Sequence, residues 1–263
     1  MLPLHNNLAV IGRIFYAAAI AGIGFQLCYH QSFHPVIVPA WPAIEGKSYL
    51  AWIAGVLLIA AGITIAFSKQ TRNLSLILGG LLLILFFCQI PFEIIHDPYV
   101  KHLGSWTNAL KELALSGGAF VAAGLTQSRK PAKPNFKLLE KCIPAGPSFF
   151  AVTMLCFGIA HFLYTDFVLV LIPSWIPNAK FWTYFGGVAL AGAAAAIILG
   201  VKVKLVSFLL GLMIFIWLII LHIPRAIAEP MVQNGNEVTS AFTALAFSGI
   251  AFMISARSKI TVS

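Results

Sequence analysis

The amino-acid sequence predicts an all-α integral membrane protein with eight transmembrane helices, arranged as two parallel four-helix repeats. The first observation is composition: the 263 residues are 60% hydrophobic and 10% charged, whereas soluble domains carry about a quarter charged residues. The second is a series of long apolar windows. The third is an internal repeat, because LALSGGAF at 113–120 returns as LAFSGIAF at 245–252.

A helix needs about 20 apolar residues to cross the hydrocarbon core of a bilayer. Eight windows approach or exceed this length: 8–29, 49–67, 74–92, 107–125, 148–165, 181–201, 205–223 and 238–256. The window at 107–125 contains Lys111 and Glu112, and we predict it as a span because its copy at 238–256 is free of charge. The first window also has a counterpart later in the chain, so we interpret it as a retained helix and not as a signal peptide.

Three further stretches pair in the same order along the chain. GFQLCYHQSFHPVIVPAW at 24–41 aligns with GIAHFLYTDFVLVLIPSW at 158–175, GVLLIAAG at 55–62 with GVALAGAA at 187–194, and QIPFEI at 89–94 with HIPRAI at 222–227. Each unit holds an even number of helices, so both copies enter the membrane from the same side. The predicted domains are 1–126 and 148–263, joined by a basic cytoplasmic linker at 127–147.

The charge distribution predicts the orientation of the chain. Most of the 17 Lys and Arg residues fall on one predicted side, in the segments 69–72, 129–141, 202–204 and 257–259, whereas the acids concentrate on the other. This asymmetry predicts both termini in the cytoplasm of a bacterial-type inner membrane. The net charge of +9 is scattered over short loops, which argues against a nucleic-acid partner and leaves the lipid bilayer as the expected one.

The first helix of each copy is followed by an apolar segment that is too short to cross and that closes in Pro-x-Trp. These turns end at Trp41 and Trp175. A short interfacial or re-entrant helix on the outer face and an apolar loop packed on the bundle are both open interpretations. In the first of these, the two tryptophans lie at the level of the lipid headgroups.

The stretch FGIAHFLYTDFVLVLIPSWIPNAKFWTYFGGVAL resembles the DoxX and DoxX-like family of small four-helix membrane proteins. The resemblance rests on Gly-x-x-His-Phe ending at Phe162, on the Pro-rich aromatic turn, and on Gly187 and Val188. It covers about 148–256 and extends to about 10–125 through the repeat. The resemblance implies a link to quinone-coupled sulfur oxidation and thiol-redox membrane complexes.

The chain departs from the family pattern at two points. Many relatives carry an acidic residue just after the Gly-Val of the second helix, where this chain has Leu190 in the second copy and Leu58 in the first. Leu27 stands in the first copy opposite His161. Chemistry that depends on the acid is therefore not implied for this chain, and the resemblance bears on the fold more than on the activity.

Ionisable and aromatic side chains near the predicted outer helix ends are the candidate ligand-binding residues, because a charge in the apolar zone is costly unless it faces protein or water. The candidates are His161, Asp166, His222, Arg225, Glu112, Glu93, His96, Trp41 and Trp175. Glu93 and His96 are three residues apart, a spacing that suits a metal or a proton relay. A single pair does not define a metal site, so none is predicted. Two interpretations of Cys28 and Cys88 are open: the residues form a disulfide, or they are two separate thiols.

Three functional hypotheses follow. The first is a redox-linked membrane component that binds a quinone or another lipid-soluble molecule in a polar pocket on the outer face, walled by the Pro-x-Trp turns. No motif for flavin, haem or nicotinamide is recognisable, so electrons would come through a membrane or redox partner subunit. The second is a transporter or permease-like carrier, which tandem repeats favour. The third is a membrane assembly factor that performs no chemistry.

Overall fold

The computed structural model describes residues 2–39, 41, 46–68, 71–126 and 136–257, with side chains from residue 7 onward. Within these ranges the chain is all-helical and contains no strand. The helices are α1 (Leu2–His30), α2 (Ser48–Phe67), α3 (Thr71–His96), α4 (Thr107–Leu125), α5 (Lys137–Glu140), α6 (Gly146–Leu163), α7 (Thr165–Leu171), α8 (Ala179–Ile198), α9 (Val203–Trp217), α10 (Ile223–Ala228) and α11 (Asn236–Ala256).

Seven helical stretches in the described residues are long and apolar enough to cross a membrane. They are Asn7–His30, Ser48–Phe67, Thr71–His96, Lys137–Leu163, Ala179–Ile198, Val203–Ala228 and Val232–Ala256. Each overlaps one of the windows predicted from the sequence. The described chain therefore has the helices of a multi-pass membrane protein, as its composition predicts.

The remaining predicted window forms α4, which is not among the seven apolar stretches. Lys111 and Glu112 in its second turn lower its hydropathy. Every residue from Glu112 to Ala123 is buried, and the helix packs against α3, α6 and α11. Since α4 lies inside the protein, it does not need the all-round apolar surface of a helix that faces lipid.

The long helices pack in a pattern that crosses the two predicted repeats. Helix α1 packs against α2 and α11, and its predicted counterpart α6 packs against α8 and α4. Helix α3 packs against α4, and in the same way α9 packs against α11. Helices α4 and α11 also contact each other. The first helix of each predicted unit thus packs on the last helix of the other unit.

Two glycine pairs lie where these helices cross. A methyl group placed on Gly12 of α1 would lie 2.6 Å from the carbonyl oxygen of Gly249 on α11. A methyl group placed on Gly117 of α4 would lie 2.6 Å from the carbonyl oxygen of Gly146 at the start of α6. Small residues allow such close approach of helix backbones in membranes. The two pairs occupy corresponding positions of the predicted repeat.

Two serine hydroxyls form matching hydrogen bonds between helices. The Ser116 hydroxyl of α4 donates to the carbonyl oxygen of Gly79 on α3 at 2.8 Å. The Ser248 hydroxyl of α11 donates to the carbonyl oxygen of Gly211 on α9 at 2.9 Å. Both serines are fully buried, so these bonds pair polar groups that water does not reach.

The bundle has two chemically different ends. At the end where α3 begins, which we call the linker end, Arg72 pairs with Glu140 of α5 at 2.7 Å and donates to the carbonyl oxygens of Ala123 and Thr126 at 2.9 and 3.0 Å. We call the opposite end the turn end. It contains the last residues of α1, α3 and α6, the first residues of α4 and α11, and the tryptophans Trp41 and Trp175. After α6 the chain forms the short helix α7, whereas 31–39 consists of turns.

Candidate functional site

Polar side chains from α1, the following turn, α4, α10 and α11 come together at the turn end. They are connected by an ion pair, by shared packing on Gly235 and by electrostatic interactions. We call this group the polar cluster: Gln26, His30, His34, Lys111, His222, Arg225 and Glu237.

Arg225 and Glu237 form the direct ion pair of the polar cluster. The Arg225 guanidinium donates to the two oxygens of Glu237 at 2.9 and 3.0 Å, which is a bidentate arrangement. The pair joins α10 to the first turn of α11. Because both Glu237 oxygens accept from Arg225, the position of this carboxylate is fixed at the start of α11.

His222 ends a π-helical segment, Leu218–His222, between α9 and α10. Pro224 follows two residues later, and it has no N–H to donate to the carbonyl of Ile220 one turn back. The segment widens into the π geometry at this point. His222 lies within electrostatic reach of Lys111, Glu237 and Arg225. Pro224 therefore helps to set the position of His222 in the polar cluster.

Lys111 lies on the face of α4 that is directed at α1 and α11. Gly118 is seven residues further along and so lies on the same face, and a methyl group placed on it would lie 2.6 Å from Ile250 of α11 and 2.7 Å from Tyr16 of α1. Lys111 interacts electrostatically with Glu237 and His34. It has no hydrogen-bond or ion-pair partner within the part of the chain that the structure describes.

His34, in the turn after α1, is only 5% exposed. The backbone N–H of Val36 donates to its Nδ1 at 3.3 Å, which requires that nitrogen to be unprotonated. Burial, with smaller contributions from the positive charges of Lys111 and His30, lowers the pKa of His34 from 6.5 to about 4. His34 is therefore neutral at physiological pH.

Gln26 and His30, one turn apart on α1, both lie against Gly235. A methyl group on Gly235 would be 2.7 Å from Nε2 of His30 and 3.1 Å from Nε2 of Gln26. Gly235 has φ of +78°, a left-handed conformation that suits glycine, and it directly precedes α11. Gln26 is 6% exposed, and its Nε2 has no hydrogen-bond partner among the described residues.

Glu112 is fully buried, and its side chain is directed about 100° from that of Lys111 around α4. Leu115 and Ser116, three and four residues later on the same face, contact Tyr16 of α1 and Gly79 of α3. Glu112 therefore faces the space between α1 and α3. Neither of its carboxyl oxygens has a hydrogen-bond partner in the described residues, which is a costly arrangement for a buried polar group.

Glu93, His96 and Trp41 lie together at the end of α3 but do not form a ligand set. The His96 ring is exposed, stacks on Phe92 with ring centroids 4.8 Å apart, and meets Trp41 edge-on at 5.4 Å. Glu93 is 8% exposed and faces the bundle. Among the described residues there is no group of three His, Cys, Asp or Glu side chains that could hold a metal ion.

His161 and Asp166 are separate from the polar cluster as well. The Nδ1 of His161 is 2.7 Å from the carbonyl oxygen of Phe157 one turn earlier on α6, so its ring bonds within its own helix. Asp166 is exposed in the first turn of α7. Cys28 and Cys88 are free thiols in this structure.

An apolar groove of about 900 Å³ runs between α8 and α9 from the turn end. Trp175 and Pro177 close its turn end, and Trp182 and Trp217 form part of its wall with ring centroids 6.2 Å apart. A methyl group placed on Gly192, an exposed residue that lines the groove, would meet no other atom within 4 Å. The groove is lined by apolar side chains and contains none of the polar cluster.

No protein-family model, curated protein or solved structure matches the chain. The resemblance to DoxX-like proteins therefore stays a prediction from the residues quoted above.

The structure thus brings together some of the predicted site residues and separates others. His222 and Arg225 lie in the polar cluster, Trp175 lines the groove, and the other six candidates lie elsewhere. The candidates selected from the sequence did not include Gln26, His30, His34, Lys111 or Glu237, although His30 and His34 are among the ionisable groups near the predicted outer helix ends. Their association depends on α1 and α11 being neighbours, which no motif or spacing along the chain indicates.

Proposed function

We propose that this chain is a DoxX-like membrane protein of a bacterial-type inner membrane, a redox-linked component that binds a quinone or another lipid-soluble molecule. The observation that carries the proposal is the groove between α8 and α9. It is large enough for a prenyl or acyl chain, its lining is apolar, and lining residues such as Val188 and Leu209 are exposed on the surface of the helices. A molecule dissolved in the bilayer reaches it without crossing water.

The aromatic wall of the groove provides a direct measurement of binding. Quinones quench tryptophan fluorescence, and Trp175, Trp182 and Trp217 all line the groove. Purified full-length protein in nanodiscs is titrated with a short-chain ubiquinone and a short-chain menaquinone. We expect saturable quenching by at least one of them.

The matched variants are Gly192→Phe, which fills the groove where space is open, and Ala195→Phe, which is exposed on the same helix outside the groove. Gly192→Phe is expected to weaken binding about tenfold or more by occupying the ligand volume, whereas Ala195→Phe binds as the wild type does. Equal quenching of the two variants would rule out this groove as the quinone site.

The finer topology is also part of the proposal: eight spans in two parallel repeats, with both termini in the cytoplasm. The corresponding glycine pairs, Gly12 with Gly249 and Gly117 with Gly146, and the matching serine hydrogen bonds support it. An epitope tag inserted between residues 128 and 133 is expected to bind its antibody only after the membrane has been permeabilised, so that the antibody reaches the cytoplasmic side. A tag that reacts in intact spheroplasts would contradict the parallel arrangement.

A carrier function is the second candidate, and it is favoured by one observation. Glu112 is a buried acid with no partner, directed into the space between α1 and α3. Intramembrane acids of this kind mark ion or proton pathways in many transporters. Two vesicle preparations are compared, one with the wild-type protein and one with the Glu112→Gln variant. Proton uptake by the wild-type vesicles alone would favour the carrier. Equal uptake by both would exclude this role for Glu112.

A further inference from the structure

We propose that the polar cluster binds a phosphate group at the start of α11, either as the headgroup of an anionic lipid or as free phosphate. The inference is independent of the groove between α8 and α9, because none of the residues involved lines that groove. It rests on three features: a helix start, an unpaired buried amide and an unpaired cation.

The start of α11 has the donors that a phosphate group needs. The helix is 21 residues long, and its first backbone bond runs from the N–H of Thr239 to the carbonyl of Gly235. The N–H groups of Asn236, Glu237 and Val238 therefore have no partner within the helix. Helix starts of this kind bind anions through these donors and through the helix dipole.

Gln26 is the independent sign that a ligand belongs there. Its side chain is more than nine-tenths buried, and it lies against Gly235, the residue that precedes α11. Its Nε2 has no partner among the described residues. A buried donor is normally satisfied, so this amide is placed to donate to an oxygen bound at the helix start.

Lys111 supplies a positive charge that interacts with Glu237 only at a distance. Glu237 accepts from Nε and Nη2 of Arg225, and Lys111 has no direct partner within the described ranges. The three charged groups leave a net charge of +1 at the cluster, since two cations face one carboxylate. A phosphate oxygen would compensate Lys111 and the helix start together.

The other half of the chain packs without such a cluster. In the proposed repeat, the positions that correspond to Gln26, His30 and Lys111 are Ala160, Tyr164 and Thr243. The matching glycine crossing and serine hydrogen bond are nevertheless present in both halves. The polar residues are therefore not needed for the packing of this helix arrangement, which supports a role in ligand binding.

The test uses the full-length protein, stripped of lipid in a phosphate-free detergent. One arm adds inorganic phosphate and the other adds phosphatidylglycerol, each against a chloride control of equal ionic strength. The readout is the rate at which an acylating reagent modifies Lys111, measured by peptide mass spectrometry, with the exposed Lys180 as the internal control. We expect Lys111 to be protected in one arm, which identifies the source of the phosphate group, while Lys180 reacts at an unchanged rate.

The matched variant is Gln26→Leu, which has nearly the same volume and no amide. It is expected to bind phosphate about tenfold more weakly, because a hydrogen bond to a charged group is lost. Without phosphate, its thermal midpoint should equal or exceed that of the wild type, because an unpaired buried donor is removed. No protection of Lys111 in either arm, or equal protection in Gln26→Leu, overturns the proposal.

Discussion

His34 predicts an acid-sensitive component of stability. Its side chain is 5% exposed, and its Nδ1 accepts a hydrogen bond from the N–H of Val36. Burial lowers the pKa of His34 to about 4, with the nearby positive charges of Lys111 and His30 adding to the effect. The folded protein therefore resists protonation of this ring, whereas the unfolded chain takes up a proton near pH 6.5.

The sign and size of the effect follow from this difference. Above pH 6.5 both states are neutral at His34, and the residue makes no pH-dependent contribution. As the pH falls from 6.5 towards 4, the unfolded state binds the extra proton and the folded state loses stability. The shift from 6.5 to about 4 corresponds to a loss of about 1.4 kcal/mol at pH 5.5 and about 2 kcal/mol at pH 5.

The assay is thermal unfolding of the purified protein in detergent, followed by tryptophan fluorescence between pH 7.5 and 4.5. The His34→Gln variant removes the titrating ring, and Ser32→Ala, two residues away, serves as a control that does not titrate. The midpoint of the wild type and of Ser32→Ala should fall more steeply with acid than that of His34→Gln. Parallel pH profiles for all three proteins would refute the reasoning.

Three further predictions concern the helix packing. Gly12→Leu should destabilise the protein by about 1–3 kcal/mol by overpacking, since the added side chain would meet Gly249; an unchanged thermal midpoint would contradict this crossing. Glu112→Leu should stabilise it by about 1–3 kcal/mol, because a buried group without a partner is removed; a lower midpoint would mean that Glu112 has a partner. Ser116→Ala and Ser248→Ala should each cost about 0.6 kcal/mol, and clearly unequal losses in denaturant unfolding would count against equivalent packing.

The membrane spans could be predicted from the sequence because hydropathy depends on local composition. Helix α4 is the one long helix among the described residues that hydropathy alone does not predict as a membrane span. Its Lys111 and Glu112 weaken the apolar signal, and only similarity to 238–256 predicted it as a span. In the structure α4 is enclosed by α3, α6 and α11, so its composition reflects neighbouring protein and not lipid.

The candidate site was harder to predict because it is assembled by helix neighbours. Arg225 was selected from the sequence, but its partner Glu237 was not, since the pair depends on the path of α10 after Pro224. Trp41 and Trp175 are aligned in the repeat, yet Trp175 lines a groove while Trp41 packs on Phe92 and His96. Positions that align in the predicted repeat therefore do not have equivalent surroundings in the structure.

The packing of α1, the first long helix, against α11, the last one, has a consequence for biogenesis. While the ribosome is still translating the second half, α1 is already in the membrane but its packing partner α11 does not yet exist. The surface of α1 around Gly12 is therefore covered by lipid or by an insertion factor until α11 has been inserted. A chain truncated at residue 126 would leave that surface permanently open, and quality-control proteases are expected to remove it unless the missing half is supplied as a separate polypeptide.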